Sequence, residues 1–286
     1  MREHSAERTS VILVNTAVLL FGTAGLFARG IALPSLAITF GRVFFSSLAL
    51  GIFMLASRRS FRLDSRRDLA GLAFAGVILA LHWWSFIESI QLAGVAVGTI
   101  TFSSFPLFVT FLEPLVYREK LEGKNIIMAL VILAGVLITI PEFSLSNTSF
   151  LGIVTGMVSS LCYAVLTLIN RGLSSKYGGI VTSFYEQLTA ALVLAPFVIR
   201  AHIRPTGKDI LLLMVLGVFM TALAHTMFIH SLRGISAQLA GICSSMETVY
   251  GIFLAFLVFG EAPSWREAAG GAIILATVIL AQLKKY

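Results

Sequence analysis

The chain has 286 residues, 57% of them hydrophobic and 12% charged, with a mean hydropathy of +0.92 and a formal net charge of +7. A soluble domain of this length needs far more polar coat, so the composition excludes a water-soluble enzyme and makes the bilayer the solvent. The positive balance has no soluble face to sit on, which excludes a nucleic-acid binder and points to membrane orientation and contact with acidic lipid.

In chain order the apolar segments are ten, at roughly 10 to 28, 34 to 57, 68 to 89, 93 to 117, 124 to 140, 149 to 171, 179 to 199, 207 to 232, 235 to 260 and 264 to 283. Each is long enough for a hydrocarbon core of about 30 Å. Backbone groups in lipid must be paired internally, so these spans are predicted to be helices and the fold all-α. The connections are short and marked by Pro34, Pro141, the Ser144 to Thr148 run, Lys176 to Gly179, Pro205 to Gly207 and Pro263. Met1 to Thr9 is polar, and the first span leads into further spans rather than a cleavage pattern, so it is expected to stay as a helix.

With ten spans both termini share a side. That side carries 15 of the 21 Lys and Arg; the opposite loops carry five, and Arg42 lies within a span. Arg58, Arg59, Arg62, Arg66 and Arg67 form the densest cluster at a boundary, which predicts cytoplasmic termini. Arg200, Arg204 and Lys208 run against the bias.

The chain also reads twice. Ser103 to Ile138 lies over Ser245 to Leu280 at an offset of 142, Phe86-Ile87-Glu88-Ser89 returns as Phe228-Ile229-His230-Ser231, and Glu119 returns as Glu261. Two units follow, 1–143 and 144–286. Five spans per unit force the second copy to enter from the opposite side, so the predicted architecture is a pair of inverted five-helix repeats. Such halves can lean either way about a central site, the basis of alternating access. Nothing resembles a repeated filter of carbonyls or a ring of acids, as a channel would need.

Phe105-Pro106-Leu107-Phe108 followed by Tyr117-Arg118-Glu119-Lys120-Leu121, and the echo Met246-Glu247-Thr248 followed by Phe259-Gly260-Glu261, resemble the drug/metabolite transporter superfamily, EamA type. The resemblance covers the full chain. It implies ten helices in two EamA domains, cytoplasmic termini and secondary transport of small metabolites, often as exporters. One departure stands out: the second copy usually reads Glu-Pro where this chain has Glu247-Thr248, so the ninth span is expected to lack a proline kink, while the first copy has an additional Glu113-Pro114.

Polar residues deep in the spans are the candidates for chemistry, because charge there is costly. Arg42 lies about two turns into the second span, either as a cation for a carboxylate or phosphate or as a structural partner of Glu88 or Glu186. Glu186 falls near its repeat equivalent, suggesting one central polar pair or a place in a cytoplasmic vestibule. Glu247 is about eleven residues into the ninth span, a candidate coupling or substrate-ammonium site, or a hydrogen-bonded acid that fixes the helix. Glu113, Glu119 and Glu261 read as structural or boundary charges. His82, Trp83 and Trp84 in the third span and His225 and His230 in the eighth come from repeat-equivalent segments and are expected to face one another. The tryptophans suit a flat or cationic solute and the histidines a proton relay or interhelical hydrogen bonds. Tyr163, Tyr185 and Tyr250 are expected to add polar tips.

Gly152 and Gly156 have a close-packing spacing, and Asp64, Asp68 and Asp209 suit N-caps. Cys162 and Cys243 have no metal-ligand spacing, so no metal site or disulfide is expected, and no cofactor. The sequence therefore predicts an inner-membrane secondary transporter, an exporter of a small organic metabolite, with import as the alternative. A proton or another ion is a candidate partner and a homodimer a candidate assembly. An intramembrane enzyme competes less well, since HExxH and GxSxG are absent, and the absence of GxxxxGK[ST] argues against nucleotide-driven pumping.

Overall fold

A computed structural model describes residues 2–118, 123–140 and 147–283, and every regular element among them is helical. Glu119, Lys120, Pro141 and Ser144 lie outside the described residues. In chain order the helices are α1 (Arg2–Gly30), α2 (Ser35–Ala56), α3 (Arg66–Phe102), α4 (Phe105–Tyr117), α5 (Gly123–Thr139), α6 (Thr148–Arg200), α7 (Gly207–Gly217), α8 (Ala224–Ser231), α9 (Ala237–Ser244), α10 (Met246–Phe259) and α11 (Trp265–Leu283). A π-helical turn, Val218–Leu223, joins α7 to α8. Among the described residues six helical segments are long and apolar enough to cross a membrane.

Two of these elements are too long to cross once. At 1.5 Å per residue a straight α6 of 53 residues would run about 80 Å, far beyond a bilayer core of about 30 Å. Gly178 at φ 76° breaks it, and Gly94 at φ 87° breaks α3. Both angles lie in the left-handed region that glycine enters without a Cβ clash. The breaks fall beside the boundaries between the expected third and fourth and sixth and seventh spans.

Two further interruptions are related by the repeat. α3 ends before Ser103-Ser104 and α9 ends before Ser245, and Ser103 and Ser245 are one offset of 142 apart. The sequence predicts a ninth span without a kink because Thr248 stands at the position of Pro106, but that span is interrupted between α9 and α10. Thr248, in the first turn of α10, bridges the interruptions of the two copies: its Oγ1 donates to the Thr99 carbonyl at 2.8 Å and its hydroxyl meets that of Ser103.

α3 packs most extensively on α6. A Cβ on Gly152 would collide with Ala93, and one on Gly156 with Thr101, so the small residues set the separation of these helices. α5 packs on α11 in the same way through Gly135 and Gly270. Large side chains such as Leu55, Leu115, Leu192 and Ile199 point outward, as lipid-facing residues do. The caps correct the sequence reading: Ser65 caps α3 and Thr206 caps α7, with Asp68 and Asp209 three residues in, where Asp209 closes a capping box.

Candidate functional site

The helix interruptions and the α3–α6 contact leave a small buried cavity of about 20 Å³, room for about one water, at the centre of the bundle. Phe21 and Ala24 reach it from α1, Arg42 from α2, His82, Trp83, Phe86 and Phe102 from α3, Tyr163 from α6 and Glu247 from the first turn of α10. Arg42 and Glu247 are 2% and 5% exposed. They share the cavity without a contact ion pair.

Arg42 is held on two sides. Its Nε donates to Thr221 Oγ1 at 3.1 Å, and its guanidinium carbon lies 3.9 Å from the centre of the Trp83 ring, a cation–π stack. Thr221 in turn donates to the Leu216 carbonyl at 2.8 Å, five residues back, so the π-helical turn orients the hydroxyl that fixes the arginine. His82 is anchored on the other side: its Nδ1 lies 3.1 Å from the Ser159 carbonyl and 2.9 Å from Ser159 Oγ. Tyr163 stacks at 4.7 Å from the His82 ring and forms an aromatic wall with Phe102, Phe105 and Phe228.

The other expected site residues are distributed around this centre. Arg42 takes neither Glu88 nor Glu186 as an ion-pair partner. Glu88 accepts from Ser35 at the start of α2. Glu186 is wholly buried and its Oε2 lies 2.9 Å from His225 Nε2. His225 meets the Trp83 ring edge-on at 5.4 Å, so the third and eighth spans do bring one tryptophan and one histidine together. Trp84 is half-buried and outside the cavity lining, and His230 is exposed on α8. Tyr185 donates to the Phe61 carbonyl at 2.5 Å, and Tyr250 packs on Gly22 of α1. Arg171 binds Glu113 at 2.6 Å and Arg29 binds Glu261 at 2.7 Å, structural contacts toward the helix ends.

Sequence reasoning missed Phe21, Ala24, Phe86, Phe102 and Thr221. A signal existed for one of them: Phe86 and Phe228 are repeat partners, and both sit on the aromatic wall. Among the described residues no group of three or more His, Cys, Asp or Glu is placed to hold a metal ion.

A duplicated, all-helical membrane protein with a charged and aromatic cavity at its centre is the build of a solute carrier. The EamA-like transporter family matches residues 8–140 and 150–283, and the chain belongs to that family. Its relatives include the S-adenosylmethionine uptake transporter of Rickettsia conorii, 25% identical over 87% of this chain and 83% of the relative. The pseudopaline exporter CntI of Pseudomonas aeruginosa is 26% identical over 88% of each chain. One solved crystal structure is similar in fold with a TM-score of 0.73 at 19% identity, over 96% of both chains. The protein is thus a multi-pass membrane transporter whose cargo is a small molecule.

Proposed function

We propose that this transporter carries a small organic metabolite bearing both an acidic and a basic group, such as an amino acid or a related solute, out of the cell across the inner membrane. The observation that carries the reading is the presence of Arg42 and Glu247 in one buried aromatic cavity. Two opposite charges withdrawn from water and not paired with each other are each costly, and a zwitterionic solute would satisfy both at once. Arg42 has its Nε taken by Thr221, so its terminal nitrogens are the donors for a carboxylate. Glu247 would receive the ammonium and Trp83 a flat or cationic portion.

The two units, divided between residues 143 and 144, are taken to supply ten crossings with cytoplasmic termini, and to rock about the cavity. The named relatives include one importer and one exporter, so import is the second reading. The test is thermal stabilisation of the purified protein by a panel of metabolites. A solute at one hundred times its dissociation constant stabilises the folded state by about 2.7 kcal/mol. Amino acids and related zwitterions are expected to stabilise the wild type and to fail with Glu247→Gln and Arg42→Lys, which removes the planar fork. Stabilisation that survives both changes would contradict the cavity assignment.

A further inference from the structure

The bend at Gly178 folds α6 into a hairpin, which brings residues at matched distances from the bend level with each other: Ser174 with Thr182, and Asn170 with Glu186 and Gln187. Asn170 stands beside the Glu186 carboxylate. Ser174, Thr182, Glu186 and Gln187 are wholly buried, and Asn170 and His225 are 1% exposed. Yet Ser174 Oγ, Thr182 Oγ1, both amide atoms of Gln187 and His225 Nδ1 have no hydrogen-bond partner within the protein. Buried polar groups are ordinarily paired, and a concentration of unpaired ones in a single seam marks a place that takes up something polar.

The seam has two ends. Inward, Glu186 Oε2 bonds His225 Nε2, the His225 ring meets Trp83, and Trp83 carries Arg42 on its face and lines the cavity. Outward it runs to the bend, where half-exposed Lys176 binds Asp68 at 2.6 Å and Tyr177 donates to the same carboxylate.

The geometry points to a proton-binding site at the Glu186–His225 pair, wired to water by the hydroxyl and amide groups of the α6 hairpin and separate from the solute cavity. With the carboxyl ionised and the imidazole neutral, the pair would carry one net negative charge, which one monovalent cation neutralises. A proton enters without disturbing the 2.9 Å contact, whereas a sodium ion would have to displace the imidazole. The proton comes from hydronium at the bend, adds to a lone pair of the pair, and returns to water when the equilibrium reverses. No other bond is made. The titratable groups facing the pair are His82 from α3, toward His225, and Tyr163 from α6, toward Glu186; Arg42 from α2 and Glu247 from α10 lie one step further, beside His82 and Tyr163. Protonation places an imidazolium against the Trp83–Arg42 stack, which is how this site would act on the solute. The inference rests on the reading of the chain as a secondary transporter, since an ion gradient needs a group that carries the ion.

Trp83 reports on the pair directly, because an imidazolium against an indole quenches its fluorescence. Trp84→Phe and Trp265→Phe leave Trp83 as the sole tryptophan of the three. In choline chloride its emission is expected to fall in one step as the pH is lowered. His225→Gln is expected to abolish the step, and Glu186→Gln to move its midpoint by about one pH unit or more toward acid. Should Glu186→Gln fail to fold, Glu186→Asp must still move the midpoint. A flat pH profile, a step that survives His225→Gln, a midpoint indifferent to residue 186, or a response to sodium at fixed pH would each overturn the proposal. No solute is needed, so a failed metabolite screen leaves this result readable, and a failed titration leaves the screen intact.

Discussion

Arg42 shows how a single charge is kept in an apolar bundle. A guanidinium 2% exposed cannot rely on water, and here one nitrogen is satisfied by Thr221 while the π-face of Trp83 covers the plane. Trp83 and Trp84 differ by one residue but by about 100° of helical rotation, and only the first turns inward. Trp83→Leu is expected to lose roughly tenfold in solute affinity, matching a desolvated cation–π contact of about 1–2 kcal/mol, while Trp84→Leu is neutral. Isothermal titration with whichever zwitterion stabilises the protein checks both. The polar part of this cavity was legible because Arg42, His82, Tyr163 and Glu247 stand out against lipid-compatible neighbours. Phe21, Ala24, Phe86 and Phe102 were not, since a helix in a bilayer is apolar on its lipid face as well as its packed face, and no periodicity separates them. Arg42's contacts with Thr221 and Trp83 were not legible for a related reason: depth along a span does not give the direction in which a side chain turns.

At the scale of elements, the two interruptions at Ser103 and Ser245 matter more than any helix taken whole. They open the backbone of both copies at matched points and bring the start of α10, with Glu247, to the cavity. Broken helices at the midplane are how many carriers build a site. The kink of the ninth span was invisible because the usual proline is replaced by Thr248, whose hydroxyl bonds to the other copy do what a missing backbone donor does elsewhere. Likewise Gly94 and Gly178 are two of 24 glycines, and only the excess length of α3 and α6 singles them out. Close packing between α5 and α11 has a direct consequence. A Cβ at Gly270 would lie 2.5 Å from the Gly135 carbonyl oxygen, whereas one at Gly172 meets nothing within 4 Å. Gly270→Val is expected to destabilise by roughly 1–3 kcal/mol and Gly172→Ala to be neutral or slightly stabilising, read as midpoints of thermal unfolding in detergent.

For the whole molecule, duplication was the most legible property, because two copies must repeat their small residues and boundary charges to repeat their packing. The offset of 142 relates Phe86 to Phe228, which both join the aromatic wall, and Ser103 to Ser245, which both stand at a helix interruption. The buried seam inside the α6 hairpin was not legible, since Asn170, Ser174, Thr182 and Gln187 are ordinary polar residues until the fold withdraws them together from water. Under the proposed alternating access, two inverted halves that rock expose the same cavity to each side in turn. Ala24 lines the cavity at 4% exposure, and the two native cysteines, Cys162 and Cys243, are buried free thiols. With both replaced by serine, Ala24→Cys offers one thiol to a membrane-impermeant methanethiosulfonate reagent in right-side-out and inside-out vesicles. The account predicts modification from both sides, slowed in each case by a solute that stabilises the protein. Modification from one side only, or equal rates with and without that solute, would contradict it.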